Sequence, residues 1–313
     1  MLKIYTLKIE LKSTQPIAYP EQKILVFLRA AMGRYLRKMF CIYPVEDKNC
    51  KDCPVNSCQY RRMFSPTAQA GKPLSANESI SRPFVFSPVR NAPDRKESGY
   101  FFTAGFNVFG SAVENLSYFL AAIKMSLEEG TAHTSCHIVM NKAELYHPVK
   151  RMTQDIYNSG KTEFADPEFF LQLDDYSTMT ADRIAVNFIT PAIMKDNGVF
   201  LKKPDFKTFI KRLRDRYSSL SQFYADEKPD MDFKGFADGA ENVKLINDCT
   251  FYNVSSRKSR TQKSVQDTSG IRGRVEYSGD FSGYLKYILL GQYLHVGKSS
   301  VFGYGNYEVE ILR

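Results

Sequence analysis

Residues 2–11 alternate in character, so that Leu2, Ile4, Thr6, Lys8 and Glu10 fall on one side of an extended chain and Lys3, Tyr5, Leu7, Ile9 and Leu11 on the other. Both sides are largely apolar near the middle, which predicts a half-covered strand. After a turn at residues 16–20 the period changes. Ile24, Leu28, Ala31, Tyr35 and Met39 recur at helical spacing over residues 22–40, with Arg29, Arg34, Arg37 and Lys38 away from that stripe. This predicts an amphipathic helix with a basic exposed side. Residues 41–80 show no sustained period and carry four cysteines and several prolines. Irregular stretches of that length are uncommon unless something ties them down. Strand-like runs return at 82–87 and 99–109, a helix is expected over 112–128, and a strand over 137–145.

The order so far is β-α-β-β-α-β, and the second half repeats it. Strands are expected at 183–190, 248–255, 273–277 and 306–312, with helices at 205–224 and 282–293. Two copies of one split β-α-β module make an α+β protein. The expected division is a domain at 1–150 with a Cys-rich insertion at 41–80, a linker at 151–180, and a second domain at 181–313. Two units also suit a chain of 313 residues better than one.

Hydrophobic residues make up 43% and charged residues 25%, which excludes disordered, collagen-like and coiled-coil classes. Lys plus Arg number 43 against 34 Asp plus Glu, a formal charge of +9, so an anionic partner is expected, nucleic acid ahead of a membrane. No run of 18 apolar residues and no signal-peptide core occurs. The expectation is a cytoplasmic protein without a membrane role.

Four of the six cysteines, Cys41, Cys50, Cys53 and Cys58, fall as Cys-x8-Cys-x2-Cys-x4-Cys. Two thiolates spaced as Cys50 and Cys53 can converge on one tetrahedral Zn2+, and Cys41 and Cys58 could complete the set. Structural zinc that anchors the loop is the expectation, with unmetallated thiols and redox chemistry as alternatives. Gly297, Gly303 and Gly305 lie between the last helix and the last strand. They suit either backbone N–H groups approaching a phosphate or a tight helix-to-strand connection. Upstream, Arg257, Lys258, Arg260 and Lys263 form a basic run, with Arg272 and Arg274 beyond a turn. The run is either a solvated loop or a basic hairpin projecting toward a phosphate backbone.

Histidines are scarce: His133, His137, His147 and His295. His295 follows a predicted helix and precedes the glycine loop. It can satisfy a helix-terminal carbonyl, or exchange protons near neutral pH beside Lys298.

Three stretches of the tail carry a resemblance: Gly270-Ile-Arg-Gly-Arg-Val-Glu-Tyr-Ser-Gly-Asp280, Leu289-Leu-Gly-Gln-Tyr-Leu-His-Val-Gly-Lys298 and Phe302-Gly-Tyr-Gly-Asn-Tyr-Glu-Val309. They resemble the C-terminal region of the CRISPR-associated repeat-processing endoribonucleases of the RAMP superfamily. Leu28-Arg-Ala-Ala-Met-Gly-Arg-Tyr-Leu-Arg37 and Cys58-Gln-Tyr-Arg-Arg-Met-Phe64 are similar to that family's cysteine-bearing branch. The resemblance implies tandem ferredoxin-like domains of the RAMP/RRM-like kind that bind CRISPR repeat RNA and cut it once per repeat. The attacking group is the ribose 2′-hydroxyl, and no metal takes part in the reaction. It implies RNA contacts from Arg257, Lys258, Arg260 and Lys263, which match the family's basic stretch, and from Gly297, Gly303 and Gly305, which match its glycine-rich loop; by their charge Arg272, Arg274 and Arg29 are further candidate RNA contacts. Many relatives carry a catalytic histidine near the first helix, where this chain has none. The proton-transfer role therefore passes to His295 and the electrostatic role to Lys298, with Tyr19, Lys23 and Arg29 as first-domain substitutes.

Two other readings remain at this point. A non-catalytic RAMP subunit would hold guide RNA in an effector complex, and CRISPR effector or adaptation proteins are candidate partners. A zinc-stabilised DNA-binding regulator suits the cysteines and the charge but lacks a helix-turn-helix pattern.

Overall fold

The computed structural model describes residues 1–16, 21–43, 50, 53–55, 57–66, 80–90, 98–129, 137–227, 233–259 and 264–312. The alternation at the start of the chain forms β1 (Ile4–Ser13), a central strand of a six-stranded antiparallel sheet. The long amphipathic segment forms α1 (Glu21–Phe40), whose last turn carries Arg37 and Lys38, where the helix dipole favours cations. A short helix α2 (Gln59–Met63) follows, then β2 (Phe84–Arg90) and β3 (Phe101–Phe109). A 3-10 turn leads into α3 (Leu116–Glu129), and β4 (Ile138–His147) closes the module. Strand order β2-β3-β1-β4 is that of a ferredoxin-like unit. The stretch 151–180, expected as a linker, adds β5 (Met152–Asn158) and β6 (Lys161–Thr162) to the edge beyond β4.

The second half uses the same plan. β7 (Arg183–Ala192) is followed by a small hairpin, β8 (Lys195–Asp196) and β9 (Val199–Phe200). α4 (Phe206–Tyr224) starts at Asp205, whose carboxylate accepts the Thr208 N–H at 2.7 Å, an N-cap that fixes the helix entry. Next come α5 (Phe233–Asp238), β10 (Lys244–Asn253), and a two-stranded hairpin of β11 (Ser256–Ser259) and β12 (Ser264–Asp267). β13 (Gly270–Ser278), α6 (Leu285–Leu294) and β14 (Tyr307–Ile311) complete it. The order β10-β13-β7-β14 repeats the first module strand for strand.

Each sheet covers one face with its own helices. Tyr5, Leu7, Ile9 and Leu11 pack with Leu28, Met32 and Phe119 in the first core, and Val186, Phe188 and Val275 pack with Phe209, Leu213 and Ile288 in the second. The modules are also joined. Leu2, just before β1, and Ile4 and Phe109 of the first sheet belong to the second core, and Val301, from the connection after α6, belongs to the first. Polar links reinforce the joint: Asn107 Nδ2 donates to the Tyr293 carbonyl at 2.8 Å, and the Tyr224 hydroxyl donates to the Ser81 carbonyl at 2.9 Å. Among the described residues no helix is long and apolar enough to cross a membrane.

Candidate nucleic-acid interface

The glycine-rich connection runs from His295 to Asn306 and lies where β7, α1 and β2 meet. Gly297, Gly303 and Gly305 have φ of +79°, +87° and +71°, backbone that disfavours any side chain. A Cβ on Gly305 would stand 1.8 Å from the Val296 carbonyl oxygen, and one on Gly303 2.5 Å from Leu25 Cδ1 of α1. The N–H groups of Lys298, Gly303 and Gly305 are engaged within the protein. Lys298 N–H donates to the Ile193 carbonyl at 2.9 Å, Gly305 N–H to Pro191 at 3.0 Å, and Gly303 N–H to Ser300 at 2.9 Å. Gly303 and Gly305 therefore serve close packing, and a phosphate held by their N–H groups, one of the two expectations from sequence, is not what this geometry offers.

His295 needs a similar correction. It is fully buried, at 0% exposure, at the C-cap of α6, with φ of +61°. Its Nδ1 faces the Tyr304 carbonyl at 3.2 Å, and Nε2 faces the Ser87 hydroxyl at 3.1 Å and Asn306 Nδ2 at 3.2 Å. A carbonyl can only accept and an amide nitrogen can only donate, so the ring is held as the neutral Nδ1–H tautomer. Burial pushes its pKa down to about 3, with the positive charge of Arg216 adding to the effect. An imidazole with every polar atom engaged and no solvent access has no route to an RNA proton. Its place is structural: it ties the glycine connection to β2. Lys298, three residues further along the connection, is exposed.

What the loop does present is Phe302. The Arg29 guanidinium of α1 lies between two rings, 4.3 Å from the Phe302 centroid and 4.5 Å from that of Phe64. Arg257 of β11 stacks on Phe302 at 4.0 Å. The basic run is thus a hairpin that carries Arg257 onto the glycine connection. Arg82 is next, its Nε donating to the Phe64 carbonyl at 2.7 Å. Deeper still, Arg216 of α4 donates Nε to the Leu294 carbonyl at 3.3 Å. The four guanidinium groups feel one another in sequence, Arg216 with Arg82, Arg82 with Arg29, and Arg29 with Arg257. Burial pushes Arg29 down to about 9, with Arg82 and Arg257 adding to the effect, and burial lowers Arg216 to about 10. Burial also lowers Arg82 and Arg257. Arg29 Nε, Arg257 Nε and one terminal nitrogen of Arg216 are buried without a hydrogen-bond partner. No ion pair to a carboxylate is seen for any of the four among the described residues.

The remaining basic residues are dispersed. Arg272 and Arg274 lie on the outward face of β13, alternating with buried Ile271 and Val275. Arg274 is already paired, with Glu310 at 2.7 Å and Glu276 at 3.4 Å. Lys258 lies in β11, and Lys23 is exposed on α1. Arg260, Lys263 and Tyr19 fall outside the described residues. The sequence analysis singled out Arg29 and Arg257; Arg82 and Arg216 carry no motif, and only the fold brings them beside those two.

The open faces of the two sheets border a cleft of about 330 Å³, lined by Lys8, Asn107 and Tyr146 from the first and Ile189, Asn306 and Glu308 from the second. Lys8 Nζ lies 3.7 Å from the Tyr146 ring centroid. Ser87 and Asn306 also line the cleft, which places His295 one layer behind its wall.

Cys41, Cys50, Cys53 and Cys58 are free and half-buried. They are near enough for Cys41, Cys58 and Cys53 to add to the burial that raises the Cys50 thiol pKa, against Arg37. Yet no group of three or more His, Cys, Asp or Glu among the described residues is arranged to hold a metal ion. The expected zinc set is not assembled in this structure.

Comparison with known proteins follows the two modules. Residues 2–169, more than half of the chain, match a family model described as an N-terminal domain. Residues 186–307 match the model of the CRISPR-associated endoribonuclease Cas6. A solved Cas6 product complex is 11% identical, covers 98% of this chain and 100% of that chain, and superposes with a TM-score of 0.59. Cas6 from Thermus thermophilus is 11% identical over 99% of each chain, with a TM-score of 0.55. A partial complex of Cas6-RT-Cas1 with Cas2 is 10% identical over 99% of this chain and 46% of that chain, with a TM-score of 0.57. Structural likeness at these identities is a likeness of fold. No curated protein matches the chain significantly.

Proposed function

This chain belongs to the Cas6 family of CRISPR-associated endoribonucleases, and from that premise we propose that it cuts CRISPR precursor RNA within each repeat by attack of a 2′-hydroxyl on the adjacent phosphate, without a metal. The products are a 2′,3′-cyclic phosphate and a 5′-hydroxyl. The observation that carries this reading is the junction of the two modules. There Arg29 from the first and Arg257 from the second meet on Phe302 with no counter-charge among the described residues, a setting that attracts a phosphodiester and stabilises the added charge of a phosphorane. The cleft between the open sheet faces, with Asn107, Asn306 and Tyr146 on its walls, suits flanking unpaired nucleotides. Adaptation proteins as partners find support in the fold shared with the Cas6 part of the Cas6-RT-Cas1 assembly, and co-purification tests that partnership.

A second reading, an RNA-holding subunit that does not cut, is favoured by the burial of His295, which leaves no accessible imidazole in the glycine connection. Incubating the protein with its own repeat RNA in EDTA decides between them. A single cut per repeat that survives chelation supports the nuclease. Tight binding with no cut, with or without Mg2+, supports the subunit. Cutting that requires added Mg2+ overturns the metal-independent mechanism.

A further inference from the structure

Resting on that reading, we infer that Arg257, Arg29 and Arg82 form the seat of the scissile phosphate, and that their charge, rather than an imidazole, drives the cut. Cations gathered without anions in a half-buried site repel one another and lose hydration, so their folded arrangement is favourable only if something negative completes it. The geometry states where. Arg257 and Arg29 flank the Phe302 ring at 4.0 and 4.3 Å, Arg29 is backed by Phe64, and Arg82 is held behind it by the Phe64 carbonyl. Stacking fixes the planes of the Arg29 and Arg257 guanidinium groups; Arg257 Nη2 donates to Gln266 Oε1 within the hairpin and Arg82 Nε to the Phe64 carbonyl, and the remaining N–H groups are those available to phosphate oxygens. Arg216 is the inner end of the same row, with one terminal nitrogen buried. It acts as a positioning residue: its charge helps keep the His295 ring neutral, and its Nε holds the Leu294 carbonyl at the end of α6.

The chemistry balances without a further reactant. The 2′-oxygen forms a bond to phosphorus as its proton passes to solvent. The P–O5′ bond then breaks, and the departing oxygen takes a proton from solvent. The arginines stabilise the extra negative charge on the non-bridging oxygens through both steps. With water as the proton carrier, the logarithm of the cleavage rate rises with pH from about 6 to 8.5. An imidazole-driven cut would instead bend near the ordinary histidine pKa of about 6.5.

The test uses the full chain, its cognate repeat, and a non-cleavable repeat with a 2′-deoxy sugar at the cut site. Arg29→Gln and Arg257→Gln are each expected to slow single-turnover cleavage at least about 10²-fold. Each is also expected to lower the dependence of binding on salt by about one phosphate contact. Arg29→Lys is not expected to restore cutting, because an ammonium lacks the planar face that stacks between two rings. Should Arg29→Gln fold poorly, Arg257→Gln on the hairpin carries the test alone. Wild-type cleavage and an unchanged salt slope in Arg257→Gln overturn the proposal. A rate profile that bends near pH 6.5 also overturns it. If the wild-type protein binds but does not cut, the nuclease reading fails, and the salt slopes on the deoxy repeat still decide whether these arginines hold a phosphate.

Discussion

Acidification should weaken the fold through His295 by an amount that the structure lets one work out. The folded ring stays neutral down to about pH 3, because it is buried and the positive charge of Arg216 lies near it; the bond from Nδ1–H to the Tyr304 carbonyl opposes this only in part. The unfolded imidazole takes up a proton from about pH 6.5. Stability from this residue is therefore complete above about 6.5 and falls as pH drops toward 3, by about 1.4 kcal/mol per unit. Between pH 6.5 and 5 the loss is about 2 kcal/mol. His147 is also buried, and burial lowers its pKa, so it acts with the same sign. A variant is needed to separate the two. His295→Ala strands the Tyr304 carbonyl, the Ser87 hydroxyl and one Asn306 N–H, which costs about 3 kcal/mol at pH 7.5. Urea unfolding of wild type and variant at pH 7.5 and 5.0 gives four stabilities. The gap between the two proteins should shrink by about 2 kcal/mol at the lower pH, while effects of His147 cancel. A gap that does not change with pH would mean that His295 protonates freely in the folded protein, as an accessible proton carrier does, and the structural role argued for it would be wrong.

Gly305→Ala should lower thermal stability sharply and cleavage with it, since φ of +71° and a carbonyl 1.8 Å from the new Cβ leave no place for the methyl group. A melting temperature within a degree or two of wild type, read by circular dichroism, would refute the close packing described for the connection. Arg274→Ala, by contrast, removes only surface ion pairs with Glu310 and Glu276. It should change stability by less than about 1 kcal/mol. It should leave repeat RNA affinity nearly unchanged, and a loss of more than about tenfold in a filter-binding titration would return the outer face of β13 to the RNA path.

The duplicated module was legible in the sequence because its strands and helices carry clean periods. Alternation placed β1, and the stripe through Ile24, Leu28, Ala31 and Tyr35 placed α1. β5 escaped notice for the opposite reason: from Met152 to Asn158 only Ile156 is buried, so a strand with no apolar face leaves no alternation to read. α2 is five residues long, too short for a period. At the site, the sequence offered two roles for His295 and two for the glycines, and burial and backbone geometry select the structural one in each case. A one-dimensional pattern cannot show whether a polar residue beside a helix end faces solvent or a carbonyl. The arginine row illustrates the same limit. Arg29, Arg82, Arg216 and Arg257 are scattered over more than two hundred positions, and what marks them as a site, the absence of a paired carboxylate among the described residues, exists only once the chain is folded.

The most direct measurement is single-turnover cleavage of the cognate repeat by His295→Asn and Arg257→Gln, side by side with wild type at saturating protein. The histidine variant, where folded, is expected to keep cutting within about tenfold of wild type, and the arginine variant to lose at least about 10²-fold. The reverse order, a dead His295→Asn that remains folded beside an active Arg257→Gln, would contradict the central role given to the arginines.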